Sequence, residues 1–215
     1  MRIQGLQKLT LLDYPGRTAC TVFLSGCNFR CPFCHNAPLL TAADEDGMDE
    51  DELLAFLKKR QGLLDGVAVT GGEPLLRPDL PQLLEKIKAL GYVIKLDTNG
   101  AFPERLEAVV CAGLADYVAM DIKNSPARYA ETAGTAELDL APIDKSVSFL
   151  LRAMERLGYR GGRVRIGHCQ NEVLAQDFCS ELLHLFPQAD IKSYPLRGLC
   201  SYYAERGGIM LGFEA

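Results

Sequence analysis

Three cysteines in one short segment are the residues whose types and spacing most clearly indicate chemistry in this chain. Cys27, Cys31 and Cys34 follow a Cys-x3-Cys-x2-Cys pattern, and no fourth cysteine stands nearby. Three thiolates on one loop can hold three irons of a four-iron cluster and leave the fourth iron without a protein ligand. Because an iron with an open coordination position can bind a substrate or a cofactor, the pattern favours a reactive metal centre.

A zinc site is the alternative that the spacing leaves open, because zinc also takes cysteine ligands. A closed tetrahedral zinc site needs a fourth ligand. His35 directly follows Cys34, two neighbouring residues seldom converge on one ion, and the sequence offers no distant Cys-x2-Cys pair. The iron–sulfur interpretation is therefore preferred. A catalytic zinc ion with three cysteines and a non-catalytic zinc-binding module are the alternatives.

Length, charge and hydropathy narrow the class of protein. The chain has 215 residues and a formal charge of −5, with no basic stripe. We therefore expect one domain and no nucleic-acid partner. No apolar run is long enough to cross a bilayer, and the first residues do not resemble a signal peptide. We therefore expect a cytoplasmic protein without a membrane partner.

The chain has eight cysteines, which we do not expect to form disulfides in a reducing compartment. The five outside the motif are interpreted as small buried hydrophobic residues. They are Cys20, Cys111, Cys169, Cys179 and Cys200. A second metal cluster built from the last three is the alternative.

Apolar runs alternate with segments of helical periodicity along the chain, which predicts six β-α units. The predicted strands are Ala19–Leu24, Gly66–Thr70, Tyr92–Asp97, Tyr117–Ile122, Arg163–Gly167 and Ala189–Tyr194. The predicted helices are Asp49–Arg60, Pro78–Leu90, Pro103–Cys111, Pro142–Leu157 and Glu172–Phe186. A complete eight-unit barrel needs about 250 residues. We therefore expect an α/β fold with parallel strands and outer helices in a partial (β/α)6 TIM-like barrel, and a flat doubly wound sheet is the competing architecture.

The predicted domain organisation is one domain over residues 1–215, with an N-terminal extension over 1–17 and an irregular tail over 198–215. Polar and glycine residues follow successive predicted strands. They are Gly71, Gly72 and Glu73 after the second strand, Asp97, Thr98 and Asn99 at the third, Asp121 and Lys123 at the fourth, and His168 at the fifth. Because parallel β/α folds place their sites at the carboxyl ends of the strands, we expect these residues at one site.

Each of these strand-end motifs has a functional and a structural interpretation. Two glycines after a strand let a ligand approach the backbone closely, or simply form a tight turn. The oxygens of Asp97, Thr98 and Asp121 could bind a cation or ribose hydroxyls, or cap helices and turns. Lys123 could contact an anion or be solvated, and His168 is a candidate ligand contact. The spacing alone does not decide between these interpretations.

Taken together, the motifs resemble those of radical S-adenosylmethionine enzymes. The cysteine pattern after the first strand occurs with Gly-Gly-Glu-Pro after the second, over Gly71–Pro74. The surrounding segments Leu12–Gly16, Val22–Cys31 and Cys34–Asn36 are similar to the activating enzymes of glycyl-radical enzymes. Within these, they most resemble the longer variant of the activating proteins of anaerobic ribonucleoside-triphosphate reductases. The resemblance is close over Gly5–Lys123 and becomes weaker beyond it.

This resemblance implies a set of cofactors and roles. The three cysteines would hold a 4Fe–4S cluster, and S-adenosylmethionine would chelate its fourth iron and be cleaved to a 5′-deoxyadenosyl radical. By the same resemblance, Gly71, Gly72 and Glu73 match the segment that binds the methionyl amino group. The remaining matched residues are Asp97, Thr98, Asn99 and Asp121 near the methionyl carboxylate and a monovalent cation, Lys123 at the S-adenosylmethionine site, and Asn36 beside the cluster. No catalytic residue is implied beyond the cluster and S-adenosylmethionine.

The resemblance also implies partners. The protein substrate would be a glycyl-radical enzyme. Since the segments most resemble the activating proteins of anaerobic ribonucleoside-triphosphate reductases, that reductase is the expected partner. Pyruvate formate-lyase, another glycyl-radical enzyme or a small molecule are the alternatives. The electron donor would be a reduced flavodoxin or a ferredoxin-like protein. The chain departs from the family after the fifth predicted strand, where Val164–Asn171 does not show the usual Pro-Gly turn.

Overall fold

The structure is a computed structural model that describes residues 1–41, 47–156, 163–168, 172–195 and 209–213. Backbone proximity groups the chain into two compact units. The first unit comprises Met1–Arg30, Cys34–Thr98 and Glu104–Ala119, and the second comprises Cys31–Phe33, Asn99–Pro103 and Met120–Ala215. We describe each unit by itself, and the single domain over 1–215 stays a prediction.

Strands and helices alternate along most of the described chain. The strands are β1 (Arg2–Ile3), β2 (Gly5–Thr10), β3 (Ala19–Leu24), β4 (Met48–Asp49), β5 (Gly66–Gly71), β6 (Val93–Thr98), β7 (Tyr117–Met120), β8 (Arg163–His168), β9 (Asp190–Pro195) and β10 (Ile209–Phe213). The helices are α1 (Glu50–Arg60), α2 (Leu80–Ala89), α3 (Pro103–Cys111), α4 (Tyr129–Ala133), α5 (Ala141–Arg156) and α6 (Glu172–Leu185). No helix within these described ranges is both long and apolar enough to cross a membrane.

A five-stranded sheet in the order β2-β3-β5-β6-β7 organises the first unit. Strands β3, β5 and β6 are parallel, and β2 pairs with β3 in the antiparallel direction. The predicted strands that correspond to β3, β5, β6 and β7 are confirmed to within two residues. Part of the predicted N-terminal extension instead forms β2, because its backbone groups pair with the free edge of β3. The sheet is therefore mixed.

The second unit contains a three-stranded sheet in the order β10-β8-β9. Strands β8 and β9 are parallel, and β10 is antiparallel to β8. The predicted irregular tail over 198–215 is corrected here, because its apolar segment 209–213 forms β10 and supplies hydrogen-bond partners for the second edge of β8. Val164 and Ile166 of β8 pack with α6 in a small hydrophobic core. The α/β class with parallel strands is thus confirmed.

A local sequence signal fixes the start of helix α1. Asp49 caps α1 through a capping box: its carboxylate accepts from the Glu52 amide at 2.8 Å, while the Glu52 carboxylate accepts from the Asp49 amide at 3.0 Å. Leu53 and Leu57 of this helix are fully buried. Burial of such leucines contributes about 1.5–3 kcal/mol each, so α1 is fixed to the core of the first unit.

Successive residues on the parallel strands alternate between two faces of the sheet. Val22 lies beside Val69 and Val69 beside Leu96, all fully buried. One residue earlier along each strand, Thr21 lies beside Ala68, and Ala68 lies beside Lys95. The first row is purely apolar, whereas the second carries a hydroxyl and an ammonium group.

Candidate functional site

The glycine pair after β5 is required by the approach of one loop to another. Gly71 has φ +125°, and a Cβ there would lie 2.2 Å from the carbonyl oxygen of Leu24. A Cβ on Gly72 would lie 1.9 Å from the carbonyl oxygen of Gly26, directly before Cys27. Neither distance leaves room for a side chain. The glycines therefore bring the end of β5 against the segment that leads into the cysteine loop.

Glu73 holds this turn in place from inside the first unit. Its side chain is buried, and its Oε1 atom accepts hydrogen bonds from the Leu75 amide at 3.0 Å and from the Thr98 hydroxyl at 2.9 Å. Its own amide donates to the Gly26 carbonyl oxygen at 2.8 Å. Glu73 also caps the short 3-10 helix Pro74–Leu76. Glu73 thus orients the loop through these hydrogen bonds.

Asn36 ties the far end of the cysteine loop to the same strand. Its side-chain amide donates to the Gly71 carbonyl oxygen at 3.1 Å. On the same side, the Gly26 amide donates to the Leu39 carbonyl oxygen at 2.9 Å. The backbone before Cys27 and the backbone after Cys34 are therefore both anchored to neighbouring segments of the first unit.

The thiols of all three motif cysteines lie outside any disulfide and are half-buried. The Cys27 sulfur accepts a hydrogen bond from the Phe29 amide at 3.3 Å, and hydrogen bonds to sulfur are one way in which proteins adjust iron–sulfur clusters. Among the residues that the structure describes, no three His, Cys, Asp or Glu side chains are gathered as a ready metal-binding group. Cluster binding would therefore require these loop side chains to turn toward a common centre. The donor set itself, three soft thiols on one anchored loop, fits an iron–sulfur cluster.

Asp97 and Thr98 end β6 with their side chains on different faces. Asp97 forms an ion pair with Lys95, two residues earlier on the same strand. Thr98 instead donates to Glu73. Burial and the negative charge of Asp97 raise the pKa of Tyr117 on the adjacent strand, so the phenol and the carboxylate lie near one another. The sequence grouped Asp97 with Thr98 near one cation, but their side chains have different partners.

Asn99 and Gly100 form the turn after β6. Asn99 is buried, and its side-chain oxygen accepts from the Ala101 amide at 3.0 Å. Gly100 has φ +77°, and a Cβ there would lie 2.1 Å from the terminal methyl of Met120. The buried Ser146 hydroxyl donates to the Gly100 carbonyl oxygen at 2.7 Å. Asn99 therefore shapes the turn, in line with the structural interpretation of this motif.

Asp121 and Lys123 form a second lysine–carboxylate pair, within the second unit. The Lys123 ammonium donates to Asp121 Oδ2 at 2.7 Å, and the Lys123 amide donates to the Tyr129 hydroxyl at 3.2 Å. Burial alone would lower the pKa of Lys123, but Asp121 outweighs it, with help from Cys31 and Tyr129, and raises the pKa. The ammonium group therefore stays charged near Cys31, where it can balance the charge of thiolate-bound iron.

The remaining candidate residues have mixed outcomes. His168 is buried at the end of β8, in register with Pro195 on one side and Ile209 on the other. Its role as a ligand contact stays a prediction.

Cys20 is buried as expected, and burial raises its pKa to about 12. Cys111 is exposed, which corrects its interpretation as a buried hydrophobic residue. Cys169 and Cys200 lie outside the described residues.

The structure adds three residues that were not singled out in the sequence. Lys95 pairs with Asp97, Tyr129 contacts the Lys123 backbone, and Arg105 donates to the carbonyl oxygens of Leu75 and Leu76 at 2.7 and 2.8 Å. Only Lys95 carried a signal, since it is a charged residue inside an otherwise apolar strand two positions before an aspartate. The other two contacts join residues whose proximity depends on the fold.

Comparisons with known proteins identify a family that this chain matches. Residues 21–168 match the family model described as the Radical SAM superfamily. A Methanocaldococcus jannaschii protein, provisionally named a glycyl-radical enzyme activating enzyme, is 35% identical over 133 residues, which is 60% of this chain and 53% of that protein. A DegV domain-containing protein of Streptococcus pneumoniae is 36% identical over 135 residues, which is 60% of this chain and 45% of that protein. The chain spans about half the length of these curated relatives.

Two solved structures share the fold at low sequence identity. Escherichia coli QueE matches with a TM-score of 0.52 and 17% identity, over 93% of this chain and 87% of that chain. Streptococcus suis SuiB bound to its precursor peptide SuiA matches with a TM-score of 0.53 and 16% identity, over 86% and 41% of the two chains. These likenesses concern the fold alone. Because the family model covers more than half of the sequence, including the cysteine loop and the Gly-Gly-Glu turn, this chain belongs to the Radical SAM superfamily.

Proposed function

We propose that this chain is a radical S-adenosylmethionine activase that generates a glycyl radical on anaerobic ribonucleoside-triphosphate reductase. The observation that carries the proposal is the direct link between its two cofactor motifs: the Glu73 amide donates to the Gly26 carbonyl oxygen at 2.8 Å. A cluster held by the cysteine loop would thus have the Gly-Gly-Glu turn beside it. The relative named as an activating enzyme supports the reaction class.

The chain's own residues hold and orient the reactants in this proposal. Cys27, Cys31 and Cys34 bind the 4Fe–4S cluster, and the turn at Gly71 and Gly72 presents its backbone to the methionyl amino group. When bound, the cluster and S-adenosylmethionine supply a 5′-deoxyadenosyl radical through reductive cleavage of the sulfonium C–S bond. A glycine of the partner loses one Cα hydrogen atom to that radical, which leaves a glycyl radical and 5′-deoxyadenosine.

The remaining matched residues have supporting roles in the proposal. Lys123 contributes positive charge beside Cys31, and Asn36 anchors the loop through Gly71. The resemblance also implies a monovalent cation at the aspartates. Asp97 and Asp121 each have a lysine ammonium as partner, so the proposed cofactors are the cluster and S-adenosylmethionine without that cation.

An electron source and a reducing environment complete the proposal. The donor is a reduced flavodoxin or a ferredoxin-like protein, because reductive cleavage consumes one electron from outside the chain. None of the six cysteines that the structure describes forms a disulfide, which suits the cytosol, where thiols stay reduced.

The test uses purified chain reconstituted with iron and sulfide under argon. With dithionite and S-adenosylmethionine, we expect 5′-deoxyadenosine and methionine in equal amounts. Electron paramagnetic resonance should then detect a glycyl radical on anaerobic ribonucleoside-triphosphate reductase, and none on a variant of that partner whose radical glycine is alanine. A radical on pyruvate formate-lyase alone would reassign the partner. Absence of 5′-deoxyadenosine would contradict the proposed activity itself.

A further inference from the structure

Lys95 is a buried ammonium group on β6, inside the five-stranded sheet. Only 8% of the residue is exposed, and its strand neighbours Ile94 and Leu96 are fully buried. An ammonium group in such surroundings is costly unless a charged partner compensates it. That partner is Asp97, whose carboxylate accepts from the Lys95 Nζ atom.

The strand geometry places the two charges on one face of the sheet. Lys95 and Asp97 are two residues apart on β6, so their side chains leave the strand in the same direction. Ala68 lies directly beside Lys95 on β5, and its small side chain leaves room for the lysine stem. Thr98 leaves on the opposite face and donates to Glu73. Lys95 is therefore the cationic partner that the local fold gives to Asp97.

We propose that the Lys95 ammonium group takes the place of a monovalent cation at Asp97. The inference rests on the proposed function only in assigning Asp97 to the neighbourhood of the methionyl carboxylate. A lysine ammonium group is a compact point charge with three donors, so it can neutralise a carboxylate as a potassium ion does. The chain then carries its cation covalently and needs none from solution.

Two physical features favour the lysine over an ion from solution. The ammonium group is tethered within two residues of the carboxylate, so no ion has to be bound and lose freedom of motion. A metal ion that displaced the ammonium group would also leave a buried positive charge without its partner, next to apolar strands. For both reasons, wild-type protein should show no preference among monovalent cations.

The first measurement uses the chain without cluster or S-adenosylmethionine, so that its outcome does not depend on the proposed activity. Thermal unfolding is compared in potassium, sodium and tetramethylammonium chloride at equal ionic strength. Wild type should unfold at the same temperature in all three salts. Lys95→Met keeps the length of the stem and removes the charge. Its Tm should be about 2–4 °C higher in potassium or sodium than in tetramethylammonium.

Matched variants separate the charge from the packing. Lys95→Arg keeps a positive charge, so its unfolding temperature, like that of wild type, should be the same in all three salts. Lys88→Met removes the ammonium partner of Asp116, whose carboxylate keeps a hydrogen bond of 2.6 Å from the Ile94 amide, and should show no preference among the salts. Lys95→Met combined with Asp97→Asn should lose the salt preference.

A direct binding measurement completes the test. Sodium-23 resonance broadening should appear with Lys95→Met and be absent with wild type and with the double variant. Should Lys95→Met fail to fold in tetramethylammonium, folding that returns in potassium supports the proposal. Specific sodium binding by wild-type protein, or equal behaviour of Lys95→Met in all three salts, would overturn it. In the reaction itself, we expect cofactor-loaded wild-type enzyme to cleave S-adenosylmethionine equally well in all three salts.

Discussion

The Thr98 hydroxyl donates a hydrogen bond of 2.9 Å to Oε1 of Glu73, and both residues are buried. This bond joins the end of β6 to the turn after β5. The same Oε1 atom accepts from the Leu75 amide, so the carboxylate holds its own turn as well. Two residues that the resemblance assigns to S-adenosylmethionine thus also determine the geometry of the Gly-Gly-Glu turn.

Thr98→Val should weaken this turn. The change removes a donor to a buried carboxylate, which costs about 1–3 kcal/mol. We expect a lower free energy of unfolding in urea and weaker binding of S-adenosylmethionine to the reconstituted protein. Thr98→Ser retains the hydroxyl and should preserve binding. Equal stability and affinity of Thr98→Val and wild type would show that the bond with Glu73 has no role in holding the loop.

Gly72→Ala should separate the two loops of the site. The added Cβ would lie 1.9 Å from the Gly26 carbonyl oxygen, a backbone atom that cannot rotate away. The segment before Cys27 has to move, and we expect reduced iron content after reconstitution. Gly5→Ala is the control, because its Cβ would meet Phe23 at an ordinary 3.4 Å. Normal iron content in Gly72→Ala would contradict the close approach of these loops.

Cys31→Ala should abolish cluster binding, because two thiolates hold a four-iron cluster poorly. Iron and sulfide analysis and the visible absorption of reconstituted protein measure the effect. Cys111→Ala is the matched control, since that free cysteine is exposed on α3 outside the motif. Full iron content in Cys31→Ala would reject the assignment of this cysteine, and a single zinc ion in wild type would favour the zinc alternative.

Glu50→Gln should destabilise the protein in a pH-dependent way. The hydrogen bond and charge of Lys86 lower the pKa of Glu50, and partial burial opposes them. A lowered pKa means that the stabilising effect is present above the unfolded value of about 4.3 and is lost as pH falls through the folded value. Wild type should therefore exceed Glu50→Gln in Tm at neutral pH, and the gap should close in acid.

Glu85→Gln is a suitable control for that measurement. Glu85 is exposed on α2, next to Lys86 in sequence, and its replacement should change Tm by less. A gap between wild type and Glu50→Gln that stays constant from neutral to acidic pH would mean that the carboxylate charge is not the cause.

The periodicity of the sequence determined much of the fold. The strands β3, β5 and β6 are short apolar runs bounded by turn residues, so the pattern located them to within two residues. Strand β2 was not expected, because Gly5–Thr10 has mixed polarity, and only the unpaired edge of β3 gives it a partner. Strand β10 depends on β8 for the same reason. Pairing across the chain is a tertiary effect that local pattern cannot report.

The candidate site also combines features that the sequence determines with features that depend on the tertiary structure. The sequence alone determined that three cysteines on one loop occur with a Gly-Gly-Glu turn, because spacing and residue type are local properties. Only the tertiary structure decided that Gly72 admits the Gly26 carbonyl, that Glu73 binds Thr98, and that Lys95 compensates Asp97. These contacts depend on which strands are neighbours and on which face each side chain leaves, and both are set by packing of the whole sheet.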